Sequence, residues 1–188
     1  KKNLFLKCFN VSRETLNCFC EYEYLLSKWN SKINLISKNT LKDIWNRHFL
    51  DSAQIINHVD ASRKRWVDVG SGAGFPGLVV ALLLREKKID CELILVEKNK
   101  KKVFFLNEVI RKLDLNVKVI NEGNISEWIY HAKMVVHSGC TGGFEASIRG
   151  LPTISYLPFI SAHGHKFADK FSKKIRNLDE CIKIIQKI

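Results

Sequence analysis

Between a short apolar run, Trp66-Val67-Asp68-Val69, and a longer one over residues 78–84, the sequence sets Gly70-Ser71-Gly72-Ala73-Gly74-Phe75-Pro76-Gly77. Glycines this dense break any continuous helix or strand, because glycine loses the most backbone entropy on ordering and brings no side chain to pack. The first run is strand-like and the second suits a buried helix, so the segment reads as strand, tight turn, helix. In such a unit the missing side chains let a ligand touch the backbone and the N-terminus of the helix.

Three readings compete for this loop. The phosphate loop of nucleotidases is excluded, because no Gly-Lys-Ser/Thr follows. Gly72-x-Gly74-x-x-Gly77 matches the dinucleotide fingerprint, and Glu97, twenty residues beyond Gly77, stands where such folds put the ribose-binding acid. Asp68, two residues before Gly70, instead gives Asp-x-Gly-x-Gly-x-Gly, a pattern typical of methyltransferases that use S-adenosylmethionine (SAM). A carboxylate at Asp68 can orient the loop and meet the cationic amino-acid end of that cofactor. In both readings Glu97 accepts hydrogen bonds from the ribose hydroxyls. A glycine turn that serves tight packing alone is the third.

The alternation continues downstream. Glu92–Val96 reads as a buried strand, Lys100–Leu113 as an amphipathic helix with Val103, Phe104, Leu106, Val109, Ile110 and Leu113 inward, and Val117–Ile120 as a third strand. A strand over 134–137, a helix over 141–149 and a strand over 152–157 follow. Residues 159–174 read as irregular and 178–187 as a final helix. Upstream, Ser12 is a candidate N-cap, and Phe19, Tyr22, Leu26, Trp29 and Ile33 form one helical stripe. A further helix over 41–58 carries Ile44, Phe49, Ile55 and Ile56. Alternating strands and helices imply parallel strands with right-handed crossovers. The expectation is an α/β protein: a Rossmann-like, mostly parallel sheet with an N-terminal helical cap. Residues 1–64 form the cap, 65–130 the ligand-binding half, and 131–188 a last segment on the same sheet.

Lys and Arg number 31 against 19 Asp and Glu, and the resulting +12 is spread along the chain, which favours a polyanionic partner, RNA or DNA first. The four lysines within 98–102 read as a solvated face. The longest apolar run is too short to span a bilayer and no signal-type segment opens the chain, so the reading is a cytoplasmic protein without a membrane span. The six cysteines show no Cys-x-x-Cys spacing, which fits reduced thiols. His163-x-His165 lacks further ligands, so no metal is expected. A monomer is the default for a domain of this size.

Four blocks then occur in register: Lys28-Trp29-Asn30 with Asn34-Leu35; Arg47-His48-Phe49-Leu50-Asp51-Ser52; residues 68–77; and Lys101-Lys102-Val103-Phe104-Phe105-Leu106. Over about residues 12–128 the chain resembles the RsmG (GidB) family. That resemblance implies a SAM-dependent methyltransferase acting on guanine N7 in small-subunit (16S) ribosomal RNA, with ribosomal RNA or the small ribosomal subunit as partner. It implies that Gly70, Gly72, Gly74 and Phe75 line the SAM site, that Glu97 holds the ribose, and that Asn124 and Ile125 lie beside the adenine. Arg47 and His48 would sit near the substrate mouth; Arg47 can equally pair with Asp51 one turn along. Guanine N7 carries an exposed lone pair and loses no proton on methylation, so alignment rather than a general base is required, and no catalytic residue is assigned.

The resemblance breaks at Val135-Val136-His137-Ser138-Gly139-Cys140, where Gly139 stands at the family's arginine position. Residues 137–155 look instead like the nucleotide-sugar half of glycosyltransferases, in which a glycine-rich turn opens a helix toward a diphosphate and a Glu such as Glu145 takes the ribose. The last third therefore reads as drawn from another family by fusion, frameshift or chimeric assembly. Two alternatives follow: a nucleotide-sugar-binding, glycosyltransferase-like protein, and a module that binds SAM without turnover.

Overall fold

The computed structural model describes residues 2–58, 65–123, 125–130, 132, 134–137, 141–156, 172–175, 177, 180 and 183–184. The chain divides into two compact units, Lys1–Glu122 and Gly123–Ile188.

In the first unit α1 (Lys2–Cys8), α2 (Arg13–Asn30) and α3 (Lys38–Leu41) precede a π-helix (Trp45–Leu50), a single turn α4 (Asp51–Ala53) and a 3-10 turn (Gln54–His58). The alternating part follows: β1 (Arg65–Val69), α5 (Gly77–Glu86), β2 (Glu92–Val96), α6 (Lys100–Leu113) and β3 (Val117–Ile120). The three strands are parallel in the order β1-β2-β3, as the pattern predicts. Val69 pairs with Val96, and Val96 with Ile120, so all three strands end at one level. The segments that follow them, at Gly70, Glu97 and Asn121, therefore emerge side by side, which is where open α/β sheets hold ligands.

The cap folds for reasons visible in its residues. Ser12 caps α2, its Oγ accepting the Thr15 N–H at 3.2 Å. The Ser12 N–H and Oγ and the Thr15 Oγ1 in turn donate to Glu86 at the end of α5, at 3.0, 2.7 and 2.5 Å. Phe19, Tyr22, Leu25 and Leu26 are buried along one face of α2, which packs on α5 and α6. Helix α5 is buried on every residue from Gly77 to Leu84, lying between cap and sheet. Burying each of these leucines and valines contributes roughly 1.5–3 kcal/mol.

Several features differ from expectation. Helix α1 buries Phe5, whose ring packs edge-on against Phe19 (4.9 Å) and Trp45 (5.5 Å); a single buried aromatic leaves too little periodicity to be read from sequence. The helix expected over 41–58 is wound as a π-helix in its centre. Within it Phe49 is fully buried, packed on Phe19 and Trp45, while Trp45 Nε1 donates to Glu23 at 2.9 Å. Phe104 does not face inward: it is 67 % exposed, and Phe105 is buried in its place beside Leu106, Val109 and Leu113. The rest of the expected stripe holds: Leu106, Val109 and Leu113 are buried and Ile110 packs partly buried against the core.

The second unit contains α7 (Ile125–Tyr130), β4 (Val135–His137), α8 (Thr141–Ile148), β5 (Thr153–Tyr156) and β6 (Lys173–Ile175). Strands β4, β5 and β6 are parallel and form their own three-stranded sheet around Ile154 and Ile175. Among the described residues none of them pairs with β1, β2 or β3. Strand β6 begins in the stretch read as irregular, because Lys-Lys-Ile is too short to show alternation. Most of the expected helix over 178–187 lies outside the described residues.

Candidate functional site

The loop between β1 and α5 is fixed by hydrogen bonds that sequence alone did not supply. Gly70 and Ser71 donate their N–H groups to the Val96 carbonyl at the end of β2, at 2.8 and 3.1 Å. Ser71, itself buried, donates its Oγ to the Asp68 carbonyl at 2.8 Å. Asp68 Oδ2 accepts the Gly77 N–H at 3.1 Å, closing the loop across the first turn of α5. From the cap, Tyr22 donates its hydroxyl to the Ala73 carbonyl at 2.5 Å. Tyr22 was legible only as one member of an apolar stripe; the signal was a hydroxyl where every neighbour on that stripe is purely apolar or an indole.

The glycines divide into two kinds. A Cβ on Gly74 (φ +90°) would lie 2.5 Å from Leu78 Cδ1 and 2.6 Å from the Tyr22 hydroxyl, so this glycine lets helix and cap approach the loop. A Cβ on Gly70 (φ +83°) would meet nothing within 4 Å. Gly70 therefore combines a left-handed backbone that disfavours side chains with open space above it. Tight packing thus accounts for Gly74 and leaves Gly70 without a packing reason.

Glu97 stands at the centre of the strand ends. Its Oε2 accepts the Gly72 N–H and its Oε1 the Asn99 N–H, both at 2.8 Å. Each oxygen keeps a further lone pair, so a ligand diol can be accepted without breaking either bond. Asn121, unremarked in the sequence, donates its Nδ2 to the Glu97 and Lys98 carbonyls at 2.9 and 3.1 Å and fixes the turn after β2.

Burial raises the Asp68 carboxyl to about 6, with the charge of Glu97 adding to the effect and the hydrogen bonds from Gly77 and Ser71 opposing it. Burial also raises the Tyr22 hydroxyl well above its ordinary value, reinforced by Asp68. Asp68 and Glu97, with no cation within residues 68–77, make an electrostatic setting suited to a cation-bearing, hydroxyl-rich ligand and poor for a pyrophosphate.

His48 and Phe75 are brought together: their rings stack with centroids 4.7 Å apart, and Phe75 stacks on Tyr22 at 5.5 Å. Burial lowers the His48 pKa, Arg47 adding to this and Asp51 opposing, so the imidazole is neutral at pH 7. His48 Nε2 is buried without a hydrogen-bond partner. Such an atom carries a desolvation cost that a ligand group can relieve, and π-helical turns often occur at functional sites. Arg47 is exposed, and no Arg47–Asp51 ion pair occurs among the described residues. Asn124 lies outside the described residues, and the side chain of Ile125, at the start of α7, does too.

In the second unit Glu145 accepts the Ser126 Oγ at 2.7 Å, and Arg149 donates to the Ser126 carbonyl. Ser138, Gly139, Cys140, His163 and His165 lie outside the described residues. Cys8, Cys18, Cys20 and Cys91 are free thiols. Among the described residues no helix is long and apolar enough to cross a membrane.

The family model for rRNA small subunit methyltransferase G (GidB) matches residues 15–134. Similar proteins include ribosomal RNA small subunit methyltransferase G of Parvibaculum lavamentivorans, 52% identical over 102 residues, which cover 54% of this chain and 45% of the relative. The protein of the same name from Bartonella tribocorum is 44% identical over 125 residues, 66% of this chain and 53% of that one. That from Orientia tsutsugamushi is 44% identical over 114 residues, 61% and 55% respectively. The chain thus spans about half the length of the curated relatives it matches.

Proposed function

The chain belongs to the rRNA small subunit methyltransferase G (GidB) family, and from that premise we propose that it binds SAM on the β1–α5 loop and methylates guanine N7 of small-subunit (16S) ribosomal RNA. The observation that carries this reading is Gly70: a left-handed glycine with open space above it, between two carboxylates at the C-terminal ends of parallel strands. Bound there, SAM supplies a sulfonium methyl group that passes to N7 as the carbon–sulfur bond breaks.

The protein's own part is positional. Gly70, Gly72 and Gly74 give the cofactor a backbone surface, Asp68 faces its cationic end, and Glu97 takes the ribose hydroxyls through its remaining lone pairs. Phe75, held between Tyr22 and His48, forms an aromatic wall. Neutral His48, with its unpartnered Nε2, and exposed Arg47 are assigned to the guanine side; Asn124 and Ile125 are assigned to the adenine by resemblance. No proton leaves N7, so no side chain is required as a base. Residues 1–64 serve as cap and 65–130 as cofactor half. Residues 131–188 form a segment foreign to the family, in keeping with a family match that ends at residue 134. The proposal includes a cytoplasmic monomer acting on ribosomal RNA or the small subunit. The nucleotide-sugar alternative rests on residues 137–155, nearly all beyond the end of the family match, where Glu145 accepts a hydrogen bond from Ser126.

The test is calorimetric titration of the full chain with S-adenosylhomocysteine and, alongside, UDP, followed by transfer of labelled methyl groups to small ribosomal subunits. Binding that Gly70→Arg abolishes, with transfer, is the expected result. Binding without transfer leaves a cofactor-binding module. A folded chain that ignores S-adenosylhomocysteine refutes the proposal, and one that takes UDP instead favours the glycosyltransferase-like alternative.

A further inference from the structure

Helix α6 begins with Lys100, Lys101 and Lys102, three cations at the end of a helix where the dipole favours anions, and its first turn holds no acid. The helix does not need them to start, because Asn99 caps it by accepting the Lys101 and Lys102 N–H groups at 3.0 and 3.3 Å. None of the ion pairs among the described residues involves these lysines. One turn on stands Phe104, 67 % exposed on a helix whose core face is supplied by Phe105, Leu106 and Val109. Its ring rests against Trp29 at 5.9 Å, and Trp29 is in turn held edge-on by buried Phe105 at 6.0 Å. By helical spacing Lys100 and Lys101 lie on the Phe104 side of α6, as do Asn107 and Arg111, with the partly buried Glu108 as the acid among them. Lys28 and Lys32, both exposed, flank Trp29 in sequence.

We propose that this face, Phe104 backed by Trp29, with Lys100 and Lys101 on the same side of α6 and Lys28 and Lys32 beside Trp29 in sequence, binds single-stranded RNA, one base stacking on Phe104 while the lysines meet phosphates. An exposed ring set among cations is the combination single-stranded nucleic acid uses, and a stacked duplex offers no free base face to it. The inference rests on the proposed RNA-methylating role and adds where the substrate strand runs. Because Asn99 donates its N–H to Glu97, α6 begins at the cofactor loop, and a strand lying on this face leads to it.

Fluorescence anisotropy of a labelled short single-stranded RNA, and of the same sequence as a duplex, tests this on the full chain, with S-adenosylhomocysteine titrated in parallel. Phe104→Ala is expected to weaken single-strand binding roughly 5- to 150-fold, with duplex and S-adenosylhomocysteine affinities unchanged, while Phe104→Tyr, which keeps a stacking ring, retains most of the affinity. Lys100→Gln and Lys101→Gln should each lower the slope of log affinity against log salt by about 0.7. The proposal is overturned if wild type does not bind the single strand, if Phe104→Ala binds it as wild type does, if Phe104→Tyr loses as much as Phe104→Ala, or if duplex affinity falls equally. Failure of the methyltransferase reading shows separately, as wild type without S-adenosylhomocysteine binding.

Discussion

Gly70 and Gly74 both have a left-handed φ, +83° and +90°, yet alanine at each should have different consequences. At Gly70 the new Cβ meets nothing within 4 Å, so the cost to folding is the backbone strain alone, about 1–2 kcal/mol. At Gly74 the same strain is joined by overlap with Leu78 Cδ1 at 2.5 Å and the Tyr22 hydroxyl at 2.6 Å. Leu78 and Tyr22 are fully buried and have little room to give. Overpacking of about 1–3 kcal/mol, plus loss of the Tyr22–Ala73 hydrogen bond, brings Gly74→Ala to about 3–6 kcal/mol. That is a large part of the 5–15 kcal/mol typical of a whole domain. Urea unfolding followed by tryptophan fluorescence, in a Trp128→Phe background, confines the readout to Trp29, Trp45 and Trp66 of the first unit. Adding Tyr22→Phe removes the hydroxyl from the clash, so the double variant should be less destabilised than the sum of the singles by more than about 0.5 kcal/mol. Equal costs at Gly70 and Gly74, or strict additivity with Tyr22→Phe, refute the reasoning. S-adenosylhomocysteine affinity should show the reverse ranking of effect to cost: Gly70→Ala, mild for folding, places its methyl in the ligand's space.

Three further outcomes are expected. Asp68 is raised from 3.8 to about 6, so the folded protein holds a proton that the unfolded chain has released; its contribution is complete below about pH 4 and is lost as pH rises through 6. Stability curves of Asp68→Asn and wild type should therefore diverge across that window, the variant gaining relative to wild type as pH rises, and parallel curves would contradict it. Glu97→Ala should weaken S-adenosylhomocysteine binding about 10- to 100-fold by calorimetry, the loss of hydrogen bonds to a charged acceptor. Glu86→Ala should cost about 1 kcal/mol in urea unfolding, because the Thr15 and Ser12 donors lose their acceptor at a site open to solvent.

The central part of the fold was legible because its signals are dense. Between Trp66 and Ile120 the apolar runs alternate in length with period changes and a glycine loop, and each expected strand and helix is present to within a residue or two. Where the signal is a single residue, reading fails. Phe5 alone marks α1, three residues make up β6, and no composition distinguishes the π-helix at Trp45–Leu50 from an ordinary one. The site was half legible. Glycines, Asp68 and Glu97 announce themselves by type and spacing, whereas Tyr22, Ser71 and Asn121 act through hydrogen bonds to backbone carbonyls, which any sequence presents everywhere. The assignment of Phe104 to the core failed because consecutive phenylalanines give a helical pattern two phases; both rings touch Trp29, and it is Phe105 that is buried and also meets Tyr22.

The bond from Tyr22 to the Ala73 carbonyl bears on how this protein can be taken apart. A helical cap in front of a ligand-binding sheet invites treatment as an interchangeable module, to be trimmed or exchanged at the segment before β1. Here the cap reaches past that segment and holds the loop by one of its own peptide carbonyls, at a point where Gly74 exists to admit it. A fragment starting at residue 65 would keep every residue of the glycine motif and lose the part that shapes it. The unit of inheritance, and of any transplant, is the cap and sheet together.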